Sequence, residues 1–325
     1  MGKWYAGVVH SHTTRSDGIF SPDELVKKAE EKGLDFLIIT DHNQFCDPVP
    51  TSNKILVIPG TELTKDGGHT NIWGLTHPIE NFDCDTYDDW NAKIKSAKQA
   101  GATVCINHPL CSQCGWRWEA LEPEKADCIE IWNSPQHTDN MRCTAWWQDE
   151  LRKGKKIPVV GGSDFHRDYF VTDFLANPTS YVYAEECTQE AILSAIRAGH
   201  VTISPNVGKT MIEITSGDKM MGDTVKLSKN TTVLVKVSKL KKGHTLKVID
   251  NEGVKFEFKA RKTGPYSVTL PIDRPGFLCA QIEYDMNPLI EPIFIKVDKK
   301  ISHNENLTKL PPFIHAQTNA IYFEA

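Results

Sequence analysis

Short apolar runs, each stopped by a polar residue, recur through the first two hundred residues, and stretches of helical period separate most of them. Residues 4–10, 36–40, 55–58, 70–75, 104–107, 128–132, 158–161 and 180–183 read as strands. Ser21-Pro22-Asp23-Glu24 is a capping box that opens a helix over 22–32, ended by Gly33. Further helices are predicted over 87–100, 140–153 and 188–198, the first closed by Gly101 and the last by Gly199. Such a βα rhythm predicts a barrel-like α/β domain with its site at the C-terminal ends of the strands. Near Pro205 the pattern changes. Residues 211–297 hold only short β-rich runs, such as 231–237, 245–249, 266–270 and 278–284, which predict an all-β sandwich. Residues 301–325 read as an extended tail whose apolar end, Ala320-Ile321-Tyr322-Phe323, docks as a strand.

The strand ends carry the chemistry. His10-Ser11-His12 closes the first run, Thr40-Asp41-His42 the second, and Ser163-Asp164-Phe165-His166 follows a later one. Alternate residues of a strand point the same way, so each H-x-H or D-x-H pair projects two side chains toward one point. His108 follows another run. Five histidines placed so in one domain are costly to bury without ligands. Asp17, Asp41, Glu62 and Asp164 lie beside the same ends. The combination predicts a polynuclear metal site with Glu62 as the bridging carboxylate, and mixed His and carboxylate donors suit Zn, Mn or Fe.

Composition narrows the alternatives. The chain has 325 residues, 40% of them hydrophobic, which is enough for a sizeable core and two domains. A net charge of −5 argues against a general nucleic-acid binder. No run approaches the roughly 20 apolar residues of a membrane span. Nine cysteines, odd in number and irregular in spacing, fit reduced thiols and a cytoplasmic location, or a secreted chain from which a leader has been removed. Cys111-x-x-Cys114 has no second paired motif, so these read as ordinary reduced cysteines near the pocket rim.

Together, His10-Ser-His12 with Asp17, Thr40-Asp41-His42, Glu62, Asn107-His108-Pro109 and Ser163-Asp164-Phe165-His166 resemble the PHP superfamily, named for polymerase and histidinol phosphatase. The segment Gly68-His69-Thr70-Asn71-Ile72-Trp73-Gly74 and the closing Ala316-Gln317-Thr318-Asn319-Ala320-Ile321-Tyr322 resemble its two-domain, carbaryl-hydrolase-like branch. The resemblance implies a distorted (β/α)7-type barrel over residues 1–207, an immunoglobulin-like β-sandwich over 208–300, and a docking tail over 301–325. It implies two or three divalent ions. The first would use His10, His12, Glu62 and Asp164; the second Glu62, His108 and a further histidine, for which His69 is preferred over His77; the third Asp17, His42 and His166.

The activity so implied is that of a metal-dependent phosphoesterase hydrolysing a small-molecule or nucleotide phosphate ester with metal-activated water. The expected partner is a phosphorylated small molecule, with no stable nucleic-acid partner and no membrane. Arg15 and Arg167 are candidates to hold the phosphate, since a guanidinium fork matches two of its oxygens. Asp41 either orients a ligand and shuttles protons or supports the metal ligands from behind. Trp116, Trp118 and Trp132 either wall an organic group or pack in the core. A carboxyl-ester, carbamate or amide hydrolase on the same site is the alternative enzyme, and a non-catalytic metal-containing binding protein the alternative to an enzyme.

Overall fold

Strand β1 (Lys3–Val8) is buried from Tyr5 onward, and β2 (Phe36–Ile39) is buried throughout, because layers cover both of their faces. The computed structural model, which describes residues 2–75, 77, 79, 81–118, 120–168 and 173–325, continues this pattern. After β1 come α1 (Pro22–Lys32), β2, β3 (Leu56–Lys65), β4 (Gly68–Trp73), α2 (Tyr87–Gln99), β5 (Thr103–Ile106), β6 (Cys128–Asn133), α3 (Thr138–Arg152), β7 (Val159–Gly162), β8 (Thr179–Ala184), α4 (Gln189–Ala198) and β9 (Val201–Ser204). Ser21 and Glu24 form the predicted capping box on α1, and Thr86 with Asp89 forms a second on α2.

The sheet is mixed. β1, β2 and β3 pair in parallel, as do β5, β6 and β7, but β4 runs antiparallel to both β3 and β5. β3 changes partner along its length: Leu56–Pro59 lie against β2, and Gly60–Lys65 fold back on β4 as a hairpin. The apolar run was read as ending at Ile58, but hairpin pairing carries the strand six residues past Pro59, so Glu62 sits inside it. On the other side β1 pairs antiparallel with β8, and β8 with β9. Contacts at both ends of β7 join it to this side. Ser180 Oγ on β8 donates to the Gly161 carbonyl (2.9 Å) and accepts from its N–H (3.0 Å), and Ser11 forms a parallel bridge with Phe165.

The remaining strands are β10 (Ile212–Ser216), β11 (Lys219–Met220), β12 (Thr224–Lys226), β13 (Thr232–Leu240), β14 (Thr245–Asp250), β15 (Gly253–Lys259), β16 (Gly264–Pro271) and β17 (Gly276–Tyr284), then helix α5 (Glu291–Ser302), β18 (Phe313–Thr318) and β19 (Ile321–Glu324). β10, β11, β13 and β16 form a separate four-stranded sheet. Its Ile212, Ile214, Val233 and Val235 pack on Leu246, Val248, Leu278 and Ala280 of the other layer. That other layer belongs to the large sheet, because β18 pairs with both β9 and β17.

One expectation changes here. Residues 291–297, counted among the β-rich runs, belong to a helix that continues to 302 and is held by Asp298, whose carboxylate accepts from Thr138 N (2.8 Å) and so caps α3 from outside. Residues 313–318 and 321–324 form strands β18 and β19, each lying between two neighbours within the large sheet. Trp73, Trp90, Trp132 and Trp147 are fully buried. Each such ring takes roughly 200 Å² out of water, on the order of 5 kcal/mol. Among the described residues no helix is long and apolar enough to cross a membrane.

Candidate metal centre

The backbone beyond β1, β2 and β7 stays in strand-like register, and this register brings the histidines together. His12 N donates to the Phe165 carbonyl (2.8 Å), Thr40 N to the Ser11 carbonyl (2.8 Å), and His42 bridges to Glu62 in β3. Ser11 turns its hydroxyl to the Ile38 carbonyl (2.8 Å), so its neighbours His10 and His12 both face the interior. Gly162 at the end of β7 leaves room for them: a Cβ there would lie 2.7 Å from His10 Cβ and 2.8 Å from Glu130 Oε2. Asp164 (φ 47°) and His108 (φ 29°) both take the left-handed backbone region, an expense concentrated at the cluster.

Glu62 lies at the centre and is fully buried. Its Oε1 is 3.2 Å from His69 Nδ1, 3.4 Å from His10 Nε2 and 3.6 Å from His108 Nε2. Its Oε2 is 2.6 Å from His42 Nδ1 and 3.9 Å from His12 Nε2. Asp164 Oδ1 reaches His12 Nε2 at 2.9 Å and His10 Nε2 at 3.3 Å. Asp17 Oδ1 is 3.1 Å from His166 Nε2 and 3.5 Å from His42 Nε2. The donors fall into overlapping groups, each with its atoms within 4.8 Å of one another: His10, His12 and Asp164; His10, Glu62 and His108; His69, His108 and Cys114; His12, Asp17, His42 and His166. His77 is exposed on the loop after β4, outside these groups.

These residues fit divalent ions. His10 Nε2 and His12 Nδ1 are buried without a hydrogen-bond partner, and His166 Nε2 faces His42 Nε2 at 3.4 Å, lone pair toward lone pair unless a cation stands between. Electrostatics agree. Burial by itself would lower His10, yet Asp164, Glu130 and Glu62 hold it well above the usual imidazole range. Burial also opposes the charged form of His108, but Glu62, Glu130 and Asp164 raise it to about 9. Glu62 and Asp164 are pushed up by burial and pulled well below the carboxylate range by the histidines, His10 foremost. The cluster is thus an anionic pocket that gathers positive charge.

Several supporting residues were not foreseen. Glu130, buried on β6, holds His10 Nδ1 at 2.7 Å, and Asn133 donates to Glu130 Oε1 (2.7 Å) and Asp164 Oδ2 (3.2 Å). Asn107 donates to Glu62 Oε1 (2.8 Å), and Thr64 Oγ1 lies 2.6 Å from His42 Nδ1. Such partners fix the orientation of ligating side chains. A charged residue inside the apolar run 128–132 was the one available signal for Glu130.

Of the three residues expected to be catalytic, Asp41 and Arg15 have partners within the protein and Arg167 is exposed. Asp41 is buried and accepts from Thr13 N, Thr13 Oγ1 and Ser16 Oγ, each at 2.7 Å. These bonds shape the loop that carries Asp17. Arg15 spends its fork on the Pro48 carbonyl (2.7 Å) and Cys46 Sγ (3.3 Å), tying two loops together. Arg167 is exposed beside His166. Of the aromatic candidates, Trp132 belongs to the core, while Trp116 and Trp118 stack edge-on with ring centres 5.0 Å apart over the turn between β3 and β4.

Residues 9–109 match the model of the PHP domain. The 5′-3′ exoribonuclease Rnm of Escherichia coli K12 is 36% identical over 84 residues, 22% of this chain and 29% of that protein. A 5′-3′ exoribonuclease of Haemophilus influenzae is 34% identical over 97 residues, 28% of this chain and 33% of that protein. The aligned region therefore spans a third or less of either relative. Among solved structures, a two-domain protein from Bacteroides vulgatus, described as containing a predicted PHP-like metal-dependent phosphoesterase, shares the fold with a TM-score of 0.53 at 18% identity, over 86% of this chain and 90% of that one.

Proposed function

We propose that this chain, which carries a PHP domain across residues 9–109, is a metal-dependent phosphoesterase that hydrolyses the phosphate ester of a small molecule or nucleotide. The observation that carries the reading is Glu62, whose two oxygens lie within reach of five histidines from four segments of the chain. In this reading His10, His12, Glu62 and Asp164 hold one ion, Glu62, His69 and His108 a second, and Asp17, His42 and His166 a third. Zn, Mn and Fe all suit such donors. Clustered divalent ions supply an acidified water and charge for the phosphoryl and leaving oxygens. Glu130, Asn133, Asn107 and Thr64 keep the donors aimed. The Asp17 side chain is 58% exposed while Glu62 is buried, so the Asp17 side is the mouth and receives the substrate. Arg167, exposed at that mouth, is the remaining guanidinium candidate for a substrate phosphate.

The architecture that goes with this reading is a distorted barrel over 1–207, its seam at the Ser11–Phe165 bridge, with a β-sandwich behind it. The names of the two curated relatives widen the expected substrate from a small phosphorylated molecule to the 5′ end of an RNA. The test is hydrolysis by metal-loaded protein of phosphomonoesters, phosphodiesters, short 5′-phosphorylated RNA and carboxyl esters. Phosphate release that stops on chelation is expected. Cleavage of carboxyl esters with every phosphate ester untouched would overturn the proposal.

A further inference from the structure

Four histidines of the cluster, His10, His42, His108 and His166, share a pattern: one ring nitrogen turns toward the proposed ions and the other is held by a fixed partner. His10 Nδ1 has Glu130, His42 Nδ1 has Thr64 Oγ1, and His166 Nδ1 has the Asp164 carbonyl at 2.9 Å. His108 turns Nε2 toward Glu62, and its Nδ1 lies 3.6 Å from Cys114 Sγ. Its outer partner is therefore the one of these four that can be oxidised. Cys114 Sγ in turn lies 2.9 Å from Cys111 Sγ. The loop holds the sulfurs in this place: Cys111 N donates to the His108 carbonyl, Gly115 N to the Cys111 carbonyl, and Trp116 N to the Pro109 carbonyl. A Cβ on Gly115 would lie 2.4 Å from the Cys111 carbonyl oxygen, so the turn needs glycine. All nine cysteines are free, and of the three that are not buried, Cys111 and Cys114 are neighbours and Cys187 stands apart.

We propose that Cys111 and Cys114 form an oxidisable dithiol whose closure to a disulfide loosens the ion held by His69, His108 and Glu62. The proposal rests on the reading of the cluster as a metal centre. The oxidant is a peroxide. It converts one thiol to a sulfenic acid, releasing one water. The second thiol sulfur then attacks the sulfenic sulfur, the S–S bond forms, the S–O bond breaks, and a second water leaves. Two thiol hydrogens and two electrons pass to the peroxide. The disulfide sulfur is a poor acceptor, so His108 loses the partner that fixes its ring. Loss of such a partner typically weakens metal affinity about 10- to 100-fold.

The experiment uses the full chain. Its intact mass, free thiols and Zn²⁺ affinity, read by competition with a chromogenic chelator, are measured before and after peroxide and again after dithiothreitol. Expected are a loss of two hydrogens, two thiols fewer, Zn²⁺ affinity lower by about 10- to 100-fold at one position, and full recovery on reduction. Cys111→Ser leaves Cys114 beside His108 but removes the second thiol, and should bind Zn²⁺ as the reduced protein does, without forming a disulfide on peroxide. Cys114→Ala should match the oxidised protein under both conditions. Thiols that survive peroxide, or a disulfide that forms with Zn²⁺ affinity unchanged, would overturn the proposal. Reduced protein that binds no Zn²⁺ would instead bring down the metal centre itself, while the mass still reports the disulfide.

Discussion

Replacing Glu62 by glutamine isolates one property of the cluster, its central charge. The amide has the same shape, so the pocket stays filled. The carboxylate is fully buried and stands within 3.6 Å of His69, His10 and His108 on one oxygen and 2.6 Å from His42 on the other. Removing one partner of a buried, paired charge costs about 3–5 kcal/mol. At 1.36 kcal/mol per decade that is roughly 10²- to 10⁴-fold in metal affinity, and because the two oxygens serve separate donor groups, at least two ions should weaken together. The assay is elemental analysis after equilibration against a graded chelator. A second readout needs no metal: His108, held at about 9 with Glu62 among the causes, should titrate lower in the metal-free variant by proton NMR. Asp41→Asn is the contrast. The Asp41 carboxylate accepts from Thr13 and Ser16, so its loss should act through the Asp17 loop, by roughly 10- to 100-fold at one ion. Equal metal loss in both variants, or a Glu62→Gln protein that keeps every ion, would refute the assignment.

Glu130→Gln should weaken the ion on His10 by about 10- to 100-fold while leaving the fold intact, since the carboxylate's partners are His10 and Asn133; circular dichroism with chelator competition separates the two effects. Asn319 accepts from Val159 N and donates to the carbonyls of Val159 and Val201, so Asn319→Ala should cost about 3 kcal/mol or more, seen as a lower urea midpoint with metal content per folded chain unchanged. His315 is buried and lies near Lys241 and His244, which lowers it from 6.5 to about 3. The unfolded chain then binds the extra proton, so stability should fall as pH drops from about 6.5 toward 3, and a His315→Gln protein should show a shallower decline in urea midpoints across that window.

The donor residues could be recognised in the sequence because their side chains sit at the ends of apolar runs, where strand alternation says which way they point. What local pattern cannot show is who stands behind them. Glu130 meets His10 across 120 residues of chain, and period alone gives its face of β6 to solvent. Arg15 and Asp41 illustrate the converse: their positions were plain, but their hydrogen bonds to Pro48, Cys46, Thr13 and Ser16 decide their roles. Helix α5 was misread for a related reason. Ile293, Ile295 and Val297 alternate as in a strand, and the contact that favours the helix is Asp298 on the first turn of α3, 160 residues away. The C-terminal strands were visible as apolar but not as central, since sheet order depends on which edges other strands have left open.

Asn319 has a further consequence, which concerns the order of synthesis. It clamps Val159 at the start of β7, the strand that delivers Asp164 and His166, and β18 before it fills the space between β9 and β17. A nascent chain therefore carries most of its donor histidines out of the ribosome well before the residue that secures the strand beside them. During that interval the cluster has its ligands but not its frame, and ions met early would bind to an unfinished pocket. Ribosome-bound chains stopped at residue 312 should accordingly be digested by protease through the β7 region, whereas released chains that include residues 313–324 should resist.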